Sequence, residues 1–131
     1  MNAKKNIDWD NLGFNAHNTR SMFIANWDPI GGWNIKGLVP YGDISLSPAS
    51  TVLNYGQGIF EGTKAYLSSK DRVVLFRLEE NAKRFNSSSK RLCIPEISNE
   101  IFISAVKNTV QDNIDYMPEK DKGSIYIRPL A

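Results

Sequence analysis

The sequence predicts an α+β fold: a small mixed or antiparallel sheet carrying a hairpin, with two helices packed on one side of it. Three observations predict it. Residues 63–77 hold two short apolar runs on either side of a polar turn. Residues 79–93 and 99–114 hold apolar side chains near a period of about 3.6 residues, the stripe of a half-buried helix. A further apolar, strand-like run follows at 124–130.

Along the chain, residues 1–20 are polar, with one apolar cluster at Trp9, Leu12 and Phe14. Residues 21–49 are rich in glycine, proline and aromatics, which forbid a long helix. Short strands are expected at Met22–Ala25 and Gly42–Ser47, the second because Ile44 and Leu46 alternate with polar residues. Thr63–Leu67 and Arg72–Arg77 flank Ser68-Ser69-Lys70-Asp71 as a hairpin. Val73–Phe76 is apolar on both faces, which predicts a central strand covered on both sides. Leu78, Ala82, Phe85 and Leu92 predict the first helix; Glu79 and Glu80 suit its positive N-terminus, the serines at 87–89 weaken its middle, and Pro95 ends it. Ile101, Phe102, Ala105, Val106, Thr109, Val110 and Ile114 form the stripe of the second, with Ser98 as cap and Glu100 in the first turn.

Composition excludes several function classes. With 131 residues the chain is long enough for one domain with a core. Its 16 basic residues nearly balance 14 acidic ones, and the basic residues are scattered, so there is no electrostatic footprint for nucleic acid or an anionic membrane. The single cysteine, Cys93, excludes an intramolecular disulfide and a zinc cluster, and fits a reducing compartment. Between Leu92 and Ile94 it reads as a small buried apolar residue. His17, in a polar stretch, reads as a surface-loop side chain. No apolar run approaches the ~20 residues that span a bilayer. The N-terminus has neither a signal-peptide core nor an Arg/Ser-rich transit pattern, so the cytoplasm is the expected location.

Candidate chemistry concentrates in three places. Gly56, Gly58 and Gly62 match no nucleotide motif: Glu61 stands where the dinucleotide fingerprint needs its third glycine, and the phosphate-loop spacing is wrong. They read as a glycine-bearing turn before a strand. Arg84 flanks the apolar stripe of the first helix. Arg128 lies in an apolar strand, where alternation puts it on the same face as Tyr126. Each arginine needs an anionic partner if partly buried, either in a structural ion pair, with Glu61 or Glu79 as candidates, or in a site for a carboxylate or phosphate ligand. Tyr55 and Phe60 are aromatics beside glycines, suited either to core packing or to the wall of an apolar pocket. There is no Ser-His-Asp set and no metal-ligand spacing.

Four runs occur in order: Asn54-Tyr55-Gly56-Gln57-Gly58-Ile59-Phe60-Glu61-Gly62-Thr63-Lys64-Ala65-Tyr66; Phe76-Arg77-Leu78-Glu79-Glu80-Asn81 with Arg84; Arg91-Leu92-Cys93-Ile94-Pro95; and Gly123-Ser124-Ile125-Tyr126-Ile127-Arg128-Pro129. Together they resemble the N-terminal part of branched-chain amino acid aminotransferases, class IV (fold type IV) pyridoxal-phosphate enzymes. The opening Ile7–Phe14 is similar to the longer-chain, eukaryotic-type branch, whereas residues 15–40 match poorly.

The resemblance implies a small N-terminal α/β sandwich domain over residues 1–131. It implies pyridoxal 5'-phosphate as cofactor, with its phosphate held by Arg84. It further implies a substrate pocket lined by Tyr55, Phe60, Tyr126 and Arg128, and transfer of the amino group of leucine, isoleucine or valine to 2-oxoglutarate. Phe60 and the aromatic rings would accept the branched side chain, and Tyr126 with Arg128 the distal carboxylate of glutamate or 2-oxoglutarate. The family's Schiff-base lysine lies in a larger C-terminal domain, and no lysine here matches it; no catalytic residue is assigned, and the chain alone is expected to be inactive.

Small-molecule substrates and a homodimer at full length are the implied partners. Leu78 and Phe85 depart from the proline and methionine usual at those positions. The strand-like ending at Tyr126–Ala131 predicts a longer protein with a C-terminal domain. Two alternatives stand beside this reading: another class IV enzyme, such as a D-amino acid aminotransferase or an aminodeoxychorismate lyase, and a truncated, non-catalytic module that binds full-length subunits.

Overall fold

A computed structural model describes residues 7–11 and 17–131. Of the apolar cluster expected at Trp9, Leu12 and Phe14, Leu12, Phe14 and the Trp9 side chain lie outside what is described. A 3-10 turn at Trp9–Asn11 precedes an antiparallel hairpin of β1 (Ser21–Asp28) and β2 (Gly32–Pro40). Asp28 makes the turn: its carboxylate accepts the backbone N–H of Ile30 at 2.9 Å and of Gly31 at 2.6 Å. Those two bonds hold the Asp28 carboxyl below its usual pKa, Gly31 contributing most. The ladder shifts register between Ile24 and Ala25, where Lys36 is the extra residue. Gly37 beside it has φ +80°, a left-handed conformation that costs a glycine nothing and lets the strand bulge.

The α+β expectation holds as two small antiparallel sheets and three helices. A short α1 (Thr51–Tyr55) leads to a three-stranded sheet of order β4–β3–β5, built from β3 (Thr63–Leu67), β4 (Val73–Leu75) and β5 (Ile125–Ile127). The long helices are α2 (Leu78–Arg91) and α3 (Asn99–Asp112); a 3-10 turn at Ile114–Tyr116 follows α3. α3 packs against α2 and against the β1–β2 hairpin.

Among the described residues, ten apolar ones form the core. Alternation along β3 buries Thr63 and Ala65 and exposes Lys64 and Tyr66. Ala65 and Ile127 meet Leu78, Ala82 and Phe85 of α2 and Phe102, Val106 and Val110 of α3 in this cluster. The rings of Phe85 and Phe102 lie 5.2 Å apart and tilted, so both departures noted in the sequence, Leu78 and Phe85, are well-buried packing residues. Ser89, in the serine run expected to weaken α2, is fully buried and donates its hydroxyl to the Phe85 carbonyl. That bond satisfies the group and lets the helix run through.

Ser98 caps α3, its hydroxyl accepting the N–H of Ile101 at 3.2 Å. Replacing it with alanine is expected to lower stability by about 1 kcal/mol, read as a shift of the urea midpoint at constant slope. A shift corresponding to less than about 0.3 kcal/mol would show that the cap is replaced by solvent.

Four expectations are corrected. Gly42–Ser47 is not a strand; Ile44 and Leu46 are exposed, and no segment among the described residues pairs with it, which alternation alone cannot supply. Its place is taken by β2, whose glycines and tryptophan had masked it. Val73–Leu75 is an edge strand, with Val73 and Val74 each 39% exposed rather than covered on both sides. Cys93 is exposed, because the chain turns there with φ +55° after α2 ends at Arg91, two residues before it. The terminal strand is shorter than 124–130: β5 ends at Ile127 and pairing resumes only as the bridge between Phe60 and Leu130.

Candidate active site

The segment Phe60-Glu61-Gly62 is the hub of the site, and strand pairing positions it. Ile59 and Ala131 exchange backbone bonds of 2.7 and 3.0 Å, and the Glu61 N–H reaches the Pro129 carbonyl at 3.0 Å. Further along, Thr63 faces Ile127 and Lys64 faces Tyr126. Because side chains alternate, Phe60, Gly62, Tyr126 and Arg128 share one face and Glu61 takes the other.

On the first face the Arg128 guanidinium carbon lies 4.7 Å from the centre of the Phe60 ring and 5.2 Å from that of Tyr126. Its Nη2 donates to the Tyr126 hydroxyl at 2.9 Å. Gly62 makes room for this cluster: a Cβ there would lie 2.5 Å from the Tyr126 hydroxyl oxygen. Its role is thus a close approach, beyond the turn that the sequence suggested. The result is an open aromatic wall carrying one cation, with Phe60 63% exposed.

On the second face Glu61 receives both the Nε and Nη2 of Arg84, at 3.0 and 2.9 Å. Asn81, buried on the same turn of α2, donates to Glu61 at 2.9 Å and to the Gly62 carbonyl at 3.2 Å. Of the two partners the sequence offered for Arg84, geometry takes Glu61. The pair is asymmetric: the Glu61 side chain is 12% exposed and that of Arg84 60%. Burial opposes ionisation of Glu61, yet the bonds from Arg84 and Asn81 outweigh it and hold the carboxyl below its usual pKa. Arg84 is raised in turn, chiefly by its bonds to Glu61.

Arg84 stands at the rim of an open cleft of about 380 Å³, lined also by Phe76, Arg77, Glu80 and Asn81. A larger hollow of about 490 Å³ lies between the start of α3 and the middle of α2. Its central amide, Asn86, is engaged by the Ile97 backbone and by Asn99, so that hollow is a structural junction.

Of the expected site residues, Phe60, Tyr126 and Arg128 come together, and Glu61 links them along the chain to Arg84. Tyr55 does not join them: it ends α1, is 85% exposed, and its side chain makes no hydrogen bond or ring contact among the described residues. Asn81 was missed. Its signal in the sequence is an amide three residues before Arg84, next to Ala82 in the apolar stripe, where a buried polar side chain needs a defined partner.

No family model matches the chain. Branched-chain-amino-acid aminotransferase 6 of Arabidopsis thaliana is 44% identical over 125 residues, covering 95% of this chain and 35% of the relative. Branched-chain-amino-acid aminotransferase 2 of Bacillus subtilis is 40% identical over 127 residues, covering 97% and 35%. Among solved structures, the branched-chain amino acid aminotransferase of Escherichia coli superposes with a TM-score of 0.59 at 31% identity, over 71% of this chain and 29% of that one. The PLP form of the Thermobaculum terrenum enzyme superposes at 0.61 and 20% identity, over 88% and 33%, and speaks to the fold alone. The chain spans about a third of the length of these relatives. Over 95% of its own length it is homologous to the branched-chain-amino-acid aminotransferases.

Proposed function

We propose that this chain forms the small N-terminal domain of a branched-chain amino acid transaminase, which moves the amino group of leucine, isoleucine or valine to 2-oxoglutarate. The observation that carries the reading is one continuous segment, Phe60–Gly62, joining an aromatic wall with a cation on one face to an anchored, exposed arginine on the other. The relatives' names supply the substrate class.

Pyridoxal phosphate fits the arginine. A guanidinium has five N–H donors; two of Arg84's are bonded to Glu61, so three remain to meet a phosphate beside the cleft. When bound, the cofactor supplies the electron sink for amino-group transfer. The chain's own residues bind and orient. Arg84 anchors the phosphate end. Phe60 and the ring of Tyr126 cover a branched aliphatic side chain and shed water from it. Arg128, bonded to the Tyr126 hydroxyl, accepts the distal carboxylate of the alternate donor. The lysine that carries the cofactor belongs to the remaining two-thirds of such an enzyme.

A homodimer and small-molecule substrates complete the proposal. The proposed compartment is the cytoplasm, although relatives include chloroplastic and mitochondrial forms. Among the described residues no helix is long and apolar enough to cross a membrane.

The test is amino transfer to 2-oxoglutarate by the complete protein from leucine, isoleucine, valine and D-alanine, with pyruvate release from aminodeoxychorismate measured alongside. Turnover with the three branched-chain amino acids at least about tenfold above the others is expected. Preference for D-alanine or for aminodeoxychorismate would transfer the chain to another class IV activity, and no turnover on any would favour a non-catalytic module.

A further inference from the structure

We propose that Glu61 is a positioning residue for the cofactor phosphate: it grips Arg84 through two N–H donors and so aims the other three at the anion. The proposal rests on the reading of Arg84 as the phosphate arginine. Three features of the geometry point to it.

First, the grip is side-on. Nε and Nη2 form parallel bonds to the two carboxylate oxygens, the arrangement that fixes a guanidinium plane as well as its position. An exposed arginine otherwise samples many rotamers, and ordering it on ligand binding costs affinity. Second, Glu61 is itself immobile. Its backbone is paired to Pro129, its side chain is largely buried, and Asn81 holds its Oε2. The arginine is therefore referenced to the sheet, not only to its own helix. Third, Asn81 also holds the Gly62 carbonyl. The same amide thus ties the phosphate anchor to the segment that carries the substrate wall. Glu61 does not touch the anion; it acts through Arg84.

The experiment compares equilibrium binding of pyridoxal 5'-phosphate and of pyridoxal, which lacks the phosphate, to the apo form of the complete protein. Glu61→Gln keeps the shape but replaces an acceptor of Arg84 by a donor. It is expected to weaken pyridoxal phosphate about tenfold and pyridoxal less than about twofold. In an Arg84→Ala background the same change is expected to add nothing. Glu61→Asp, which keeps the charge but withdraws it by one methylene, is expected to shift the preference in the same direction by less, and serves if the glutamine variant does not fold.

Equal weakening of both ligands, or no change in either, while Arg84→Ala still abolishes the preference, would overturn the role of Glu61 and leave Arg84 standing. A preference unchanged by Arg84→Ala would overturn both.

Discussion

Replacing Asn113 with leucine is expected to destabilise the fold by about 3 kcal/mol, more than any other single polar change among the described residues. Asn113 follows the last turn of α3 and is 2% exposed. Its carbonyl oxygen accepts the backbone N–H groups of Arg20 and Ser21 at 2.8 and 3.1 Å. Its amide donates to the Ser21 carbonyl and hydroxyl and to the Thr109 carbonyl, at 3.1, 3.0 and 2.8 Å. One side chain thus joins the end of α3 to the start of β1, 92 residues away in sequence, where the ladder with β2 begins.

Leucine has as many side-chain heavy atoms as asparagine but is bulkier, so no cavity opens and overpacking adds to the loss. What changes is that the part-buried Arg20 N–H and the buried Ser21 N–H and carbonyl lose their partner. The ion pair of Arg20 with Asp115 and the bond from Ser21 Oγ to Asp112 remain, but both depend on the same register. Urea unfolding followed by circular dichroism and by tryptophan fluorescence checks this, because Trp27 and Trp33 report on the hairpin separately. A loss under about 1 kcal/mol would mean that the α3–β1 junction is held by the charged residues around Asn113 instead.

How much of this was legible in the sequence depends on how far a residue's partner lies along the chain. Both long helices could be read because their evidence is internal: the apolar stripe and the Ser98 cap each span a few residues. The β3–β4 hairpin was legible for the same reason. The register of β3 against β5 was not, since it pairs segments some sixty residues apart, and only that register brings Phe60 to Arg128. Strand alternation put Tyr126 and Arg128 on one face, but nothing local could add the third member.

Asn113 shows the opposite limit. In the sequence it is one more polar residue in the last turn of the helix expected over 99–114, and most of its value comes from β1. The strand expected at Gly42–Ser47 failed because alternation describes a segment's faces and says nothing of its edges. The bulged β2 succeeded because Gly37 allowed Gly32–Pro40 to pair despite a glycine-rich composition that reads as loop.

Arg128→Met is expected to lower kcat/KM for glutamate by about 100-fold while changing that for leucine by less than about threefold. A transaminase must accept an apolar branch and a carboxylate in the same pocket in turn. The two demands conflict, because a cation suited to the carboxylate costs desolvation when the branch is bound. On the proposed reading, stacking resolves the conflict. The Arg128 guanidinium carbon lies over the Phe60 and Tyr126 rings, which stabilise its charge, and no carboxylate pairs with it among the described residues. Its N–H edge is free for a carboxylate except at the one donor given to the Tyr126 hydroxyl. A leucine side chain would then meet rings and the bare backbone of Gly62, with the cation turned edge-on and able to stay where it is. Methionine matches arginine's unbranched stem and keeps the rings covered, so the loss falls on the charge-assisted bonds alone. Arg128→Lys keeps the charge but not the planar fork, and is expected to fall between the two. Steady-state measurements on the complete protein with each amino donor decide the matter: parallel losses on glutamate and leucine would assign Arg128 to holding the wall together, whereas a loss confined to glutamate means that the stacked cation is what lets one pocket read two chemistries.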